Sequence, residues 1–144
     1  MPKKPVCLVI MPFGPSQNHD KEYWDNHFKS FIKPAIEQAA NGQRRLGYEA
    51  RRADFAGGSI PNDVLKNLLV DADVALADLT DVSPNVMYEL GIRHSVRGQT
   101  IMIIEKGQNP PFYFNHYRAI PYSADSPEDM HHFQQAWEQP GNSL

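Results

Sequence analysis

The stretch Val74-Ala75-Leu76-Ala77-Asp78-Leu79-Thr80-Asp81-Val82-Ser83-Pro84-Asn85-Val86-Met87-Tyr88-Glu89-Leu90-Gly91 decides the fold. Val74 to Ala77 is a continuous apolar run without polar alternation, as expected of a strand covered on both faces. Asp78 stands near its end, Thr80 to Pro84 reads as a loop, and a helix is expected from about Asn85 to Val96, closed by Arg97 and Gly98. A buried strand feeding a helix through a short loop is half of a βαβ unit. Such units build parallel sheets, because parallel neighbours need a long crossover between them.

The same alternation extends in both directions. Upstream, Val6-Cys7-Leu8-Val9-Ile10-Met11 is a second apolar run, ended by Pro12-Phe13-Gly14-Pro15, and is expected to be the central strand. Phe28, Phe31, Ile32, Ala35, Ile36 and Ala39 recur at helical spacing, with Asn41-Gly42 as a stop signal. Pro34 falls inside that helix and cannot bond back to Ser30, which predicts a kink or break. Tyr48 to Arg52 reads as a short strand leading to Asp54 and a Gly57-Gly58-Ser59 loop. Ser59 or Asn62 can cap a helix striped by Val64, Leu65, Leu68, Leu69 and Ala72. Downstream come a strand from Thr100 to Ile104, a loop from Gly107 to His116, a weaker strand from Arg118 to Tyr122, a helix from about Pro127 to Trp137, and a loose tail from Gln139. The expectation is one α/β domain over residues 1–144, a flavodoxin-like three-layer fold with a central parallel sheet of about five strands and helices on both faces.

The 144 residues are 41% hydrophobic, enough for one core, and the formal charge is −3. A net negative chain lacks the cationic field that binding a nucleic acid polymer requires. The single cysteine, Cys7, has no internal disulfide partner and sits in an apolar run, as a buried thiol in a reducing compartment does. The apolar stretch after the basic start is too short for a signal core or a membrane span, so the expected location is the cytoplasm, without membrane attachment.

In a sheet of this kind the binding crevice lies outside the carboxyl ends of the strands, beside the first strand. That rule gathers Pro12 to Gly14, Asp54, Asp78 and the start of the Asn85 helix at one edge. Asn85 and Glu89 are four residues apart and share a helix face, so an amide and a carboxylate can point together into the cleft. A carboxylate near a helix N-terminus is held ionised by the dipole and by spare backbone donors, the state a nucleophile toward a sugar carbon needs. The residue type and spacing suit equally a helix former with no chemical role. Asp78 likewise reads as a polar strand end or a helix cap as readily as an acid.

The segment Ala72-Asp73-Val74 through Asp78-Leu79-Thr80, followed by Ser83-Pro84-Asn85-Val86-Met87-Tyr88-Glu89-Leu90-Gly91-Ile92-Arg93-His94, resembles the signature of the nucleoside 2-deoxyribosyltransferase superfamily and its nucleotide-hydrolase and TIR-like relatives. Val9-Ile10-Met11-Pro12-Phe13-Gly14 and Arg52-Ala53-Asp54 are similar to the TIR-like branch. The resemblance covers about Val6 to Glu105. It implies cleavage of an N-glycosidic bond of a nucleoside or nucleotide, by hydrolysis or 2-deoxyribosyl transfer. Glu89 would be the nucleophile at the anomeric carbon and Asp78 would handle the base or its leaving-group proton. Met11, Pro12, Phe13 and Gly14 would lie beside base or phosphate, with Asp54, Ser59, Ser83 and Asn85 as further substrate-binding candidates. Ser83 stands where the transferases commonly carry an acidic residue, six positions before the nucleophile. TIR-like NAD glycohydrolases also use a helical glutamate, so a TIR-like NAD glycohydrolase of a defence system is the enzymatic alternative, with NAD as substrate and no cofactor. A non-catalytic nucleotide-binding or interaction module is the third. The resemblance further implies a homo-oligomer, because in the transferases a neighbouring subunit completes the site.

Other features are less specific. His19, His27, His94, His116, His131 and His132 show no zinc-binding spacing, so no metal is expected. Arg44, Arg45, Arg51 and Arg52 can hold a phosphate or stand as solvated surface. Tyr23, Trp24, Phe112, Tyr113, Phe114 and Tyr117 can sandwich a base or anchor loops.

Overall fold

A computed structural model describes residues 4–41, 44–52, 69–96, 98–110 and 119–124. Its elements, in chain order, are strand β1 (Val6–Ile10), helix α1 (Lys21–His27), a π-helical segment (Phe28–Ile32), helix α2 (Lys33–Glu37), strands β2 (Ala40–Asn41), β3 (Arg44–Arg45), β4 (Glu49–Arg52) and β5 (Val74–Asp78), a 3-10 turn (Thr80–Val82), helix α3 (Pro84–His94), and strands β6 (Gln99–Glu105) and β7 (Ala119–Tyr122). Residues 69–71 are also helical. The expected helix from Pro127 and most of the Gly107 to His116 loop and the Val64 to Ala72 helix lie outside the described residues.

β4, β1, β5, β6 and β7 form one sheet in that order, every pair parallel. Counted along the chain, this is the 2-1-3-4-5 order of a flavodoxin-like α/β fold. β5 occupies the centre and β1 sits beside it, which corrects the expectation that Val6 to Met11 is central. Both are interior strands with continuous apolar runs, so hydropathy alone does not separate them. A short antiparallel β2–β3 pair, not foreseen from the sequence, precedes β4.

Successive strand residues face opposite ways, and the core divides accordingly. Cys7, Val9, Val74, Leu76, Ile101 and Ile103 pack with Trp24, Phe31, Ile32, Ala35 and Ile36 of the α1–α2 run. Leu8, Ile10, Ala75, Ala77, Met102 and Ile104 pack with Leu69, Val86 and Leu90, the last two from α3. The α1–α2 run and α3 therefore cover opposite faces of the sheet. No helix among the described residues is long and apolar enough to cross a membrane.

The expected disturbance at Pro34 takes a specific form. The chain winds as a π-helix over Phe28–Ile32, and the Lys33 N–H reaches back to the Phe28 carbonyl. The wider turn accommodates a ring with no N–H to give, while Phe31 and Ile32 stay buried. Arg93, near the end of α3, is fully buried. Its guanidinium donates to the carbonyls of Leu69 (3.1 Å), Ala72 (2.8 Å) and Gln99 (3.0 Å), which ties α3 to the starts of β5 and β6. Gly98 is required there, because a side chain would occupy the space of that guanidinium.

Candidate functional site

The site is built by the loops at the carboxyl ends of β1, β5 and β6. The β1 loop, residues 11–20, crosses the sheet edge and is tied down along its length. Arg52 at the end of β4 donates from Nη2 to the Pro12 carbonyl (2.7 Å) and from Nη1 to Asp25 (2.7 Å). Ser16 accepts from the Trp24 indole (3.0 Å), and His19 Nε2 meets Glu105 Oε2 at the end of β6 (2.6 Å). Between these anchors Phe13 is 40% exposed, and the space around the Cα of Gly14 is open. Phe13 and Gly14 are thus accessible on the β1 loop. Met11 does not: its side chain is in the core on the α1 face, because it continues the inward parity of Cys7 and Val9. Pro12 is buried, and what it offers is the carbonyl that Arg52 holds.

The β5 loop presents the second wall. Ser83 is the N-cap residue of α3, is half-buried, and makes no side-chain capping bond. Asn85 is exposed one turn before Glu89. The buried residues of α3 are Val86, Glu89, Leu90 and Arg93. At about 100° per residue, Glu89 falls on the margin of that stripe nearest Asn85. Its carboxylate is thus enclosed, at 8% exposure, on the flank that leads from the sheet to the exposed amide. It lies in the second turn of the helix, beyond the first turn where the dipole acts strongly, so the expected help from the helix terminus is small.

Asp78 is placed differently from the expectation that it meets a leaving base at the same edge as Glu89. Its side chain follows Val74 and Leu76 to the α1 face, whereas Glu89 belongs to the helix on the other face. Asp78 is 0% exposed and accepts from the Tyr122 hydroxyl (2.6 Å) and the Thr80 N–H (3.0 Å), with His27 Nε2 at 3.2 Å. Tyr122 also lies 3.0 Å from His27 Nε2, and its hydroxyl pKa is pushed far up, first by burial and then by the Asp78 charge. Tyr23, Phe31 and Tyr122 stack around the His27 ring. This is an internal polar knot in which each hydrogen bond is needed because no water reaches it.

A second knot, on Asp81, is half-exposed. Asp81 Oδ2 accepts from Ser16 Oγ (2.5 Å) and the Asn18 N–H (2.9 Å), and Oδ1 from Asn18 Nδ2 (2.8 Å) and Gln108 Nε2 (2.8 Å). Burial pushes this carboxyl up, but the bonds from Ser16, Asn18 and Gln108 outweigh it and hold the pKa at about 2. Asp81 and Val82 both adopt left-handed backbone, φ 65° and 49°, a conformation that costs free energy in a side-chain-bearing residue, above all a β-branched one.

A cavity of about 260 Å³ opens beside these knots, lined by His19, Tyr23, Glu105, Lys106, Tyr122, Ser123 and Ala124. It sits at the ends of β6 and β7, and neither Glu89 nor Asp78 lines it. This cavity and the expected nucleophile therefore do not coincide. Asp54 and Ser59 lie outside the described residues, as do Phe112, Tyr113, Phe114 and Tyr117. Of the other candidates, Trp24 is core, Arg51 pairs with Glu49 (3.3 Å), and Arg44 and Arg45 are exposed on the β2–β3 pair. No group of three His, Cys, Asp or Glu side chains among the described residues is arranged to hold a metal ion.

Sequence reading missed His27, Tyr122 and Asp81. A signal for His27 was present, since Tyr23, His27 and Phe31 recur every fourth residue as one helical stripe. Nothing local marks Asp81, whose partners are 27 to 65 residues away. Compared with known proteins, the chain matches no family model and no curated protein.

Proposed function

We propose that this protein cleaves the N-glycosidic bond of a nucleoside or nucleotide, with Glu89 as the nucleophile. One observation carries the reading: the Glu89 carboxylate is enclosed yet sits on the flank of α3 next to exposed Asn85, on the helix that follows the central strand of a 2-1-3-4-5 sheet. Burying an acid this far is costly, and such acids concentrate where chemistry uses them. In the proposed reaction the C–N bond breaks with its electron pair leaving on the base, which takes up a proton from solvent when it is a neutral purine or pyrimidine and needs none when it is nicotinamide. Positive charge develops on the sugar, and the Glu89 carboxylate stabilises it or adds to the anomeric carbon. Water or a second base then attacks that carbon, the bond to Glu89 breaks with its pair returning to the carboxylate, and a proton from attacking water passes to solvent. In this reading Asn85 bonds sugar hydroxyls, and Phe13 and Gly14 cover the substrate from the β1 loop.

A second reading has its own support. A neutral purine or pyrimidine leaves more readily when an acid protonates it, and Asp78, the expected acid, is enclosed and bonded to Tyr122 and Thr80. Nicotinamide leaves NAD as a neutral molecule from a cationic ring and needs no acid. This difference favours NAD glycohydrolase chemistry of the TIR-like type over transfer between neutral bases.

The test incubates the protein separately with deoxynucleosides plus a second base, with nucleoside monophosphates, and with NAD, and follows base release by chromatography. Release from at least one of these is expected, and Glu89→Gln is expected to lower it by at least about 10³-fold, as loss of a nucleophile does. Full turnover by the Gln variant removes Glu89 from the chemistry. Tight nucleotide binding with no product from the wild type points instead to a binding module.

A further inference from the structure

Asp81 carries more bonds than the loop around it needs for its own shape. A short turn after a strand closes without help from distant residues, yet this carboxylate accepts four hydrogen bonds that reach two other loops: Ser16 and Asn18 of the β1 loop and Gln108 after β6. Its own N–H donates to Gln108 Oε1 (2.6 Å), so the Gln108 amide is gripped at both ends. The chain adopts left-handed backbone at both Asp81 and Val82 to bring the carboxylate into this place. Asn and Asp tolerate that conformation better than other side chains, but Val does not, so the bonds offset a real local cost. Observed strain that the surroundings hold in place is a feature of sites where position matters.

The position at stake is that of Phe13 and Gly14. Their segment is held at one end by Arg52 on the Pro12 carbonyl and at the other by Asp81 on Ser16 and Asn18. Asp81 itself is two residues before Ser83, at the N-cap position of α3. One carboxylate therefore ties the β1 loop to the segment that enters the Glu89 helix. We propose that Asp81 is a positioning residue that clamps the β1 loop at a set distance from the α3 terminus, and so governs how tightly substrate is held without taking part in bond cleavage. The inference rests on the reading of Glu89 as the nucleophile.

The experiment compares full-length wild type, Asp81→Asn and Asp81→Gly by hydrogen exchange, thermal melting and kinetics on whichever of NAD, nucleoside monophosphates or deoxynucleosides the wild type turns over. In Asp81→Asn, the amides of Phe13, Gly14 and residues 16–19 are expected to exchange at least about tenfold faster while β1, β5 and β6 stay protected, since only the local opening is eased. KM is expected to rise about tenfold with kcat within about twofold, the pattern of lost binding rather than lost chemistry. Asp81→Gly relieves the backbone strain while removing the carboxylate, so it is expected to melt no lower than Asp81→Asn and still show the raised KM. A merely structural residue would instead have its kinetic defect follow the melting temperature. Unchanged exchange at Phe13, Gly14 and residues 16–19 overturns the clamp, and unchanged KM overturns its role at the site. Absence of turnover by the wild type on all three substrate classes overturns the Glu89 reading and this role with it, while the exchange data separately decide whether the clamp exists.

Discussion

Replacing Asp78 distinguishes an internal knot from a catalytic acid. In Asp78→Ala, the Tyr122 hydroxyl and the Thr80 N–H lose their acceptor, and His27 Nε2 loses a neighbour at 3.2 Å. Tyr122 can recover a partner in Thr80 Oγ1, 3.5 Å away, or in His27, at 3.0 Å. The same contact satisfies His27 Nε2, so one buried donor, the Thr80 N–H, is left unsatisfied at about 1–3 kcal/mol, plus a small void, for roughly 2–4 kcal/mol in all. Domains of this size are stable by about 5–15 kcal/mol and lose roughly 2–4 °C of melting temperature per kcal/mol, so the variant should melt about 4–16 °C lower. Asp78→Asn keeps one acceptor oxygen and should lose about half as much. Thermal and urea melts give the stability, and base release is measured below the melting point of each variant. If Asp78→Ala melts within about 2 °C of the wild type, the reasoning about the knot is wrong. If Asp78→Asn remains folded but releases no base, Asp78 belongs to the chemistry after all.

Two further outcomes follow from the same structure. Asp81 and Asp25 both have folded-state pKa values of about 2, the first through Ser16, Asn18 and Gln108 against burial, the second through Lys21 and Arg52. Their unfolded values are near 3.9, so their stabilisation is fully present above about pH 4 and fades as pH falls toward 2. Urea midpoints measured at pH 5 and pH 3 should fall less in the Asp25→Asn/Asp81→Asn double variant than in the wild type, and equal falls would count against the assignment. Gly98→Ala forces a methyl into the space of the Arg93 guanidinium, whose bonds to three carbonyls prevent it from yielding. A loss of about 1–3 kcal/mol is expected in urea titration, and a neutral result would mean that the α3 to β6 connection repacks freely.

Much of the fold was legible because it is set by local composition. The apolar runs at Val6 and Val74, the strand at Thr100 and the helix at Asn85 came within a residue or two of their observed bounds, because burial on both faces leaves a continuous hydrophobic signature. Pro34 announced a disturbance, since a missing N–H is a property of one residue. The form of the disturbance depended on Phe31 and Ile32 remaining in the core, which favours a widened turn over a break. Which interior strand lies at the centre depends on pairing partners, and these are indistinguishable in hydropathy.

The candidate site divides along the same line. Sequence by itself determined that Asn85 and Glu89 share one flank of a helix after a buried strand, because helical spacing fixes that relation whatever surrounds it. Only the tertiary structure decided that Asp78 turns to the opposite face of the sheet, that Met11 belongs to the core, and that Asp81 joins three loops. Those outcomes depend on strand parity and on partners as far as 65 residues apart, and a hydrogen bond between distant segments has no signature until the chain has folded.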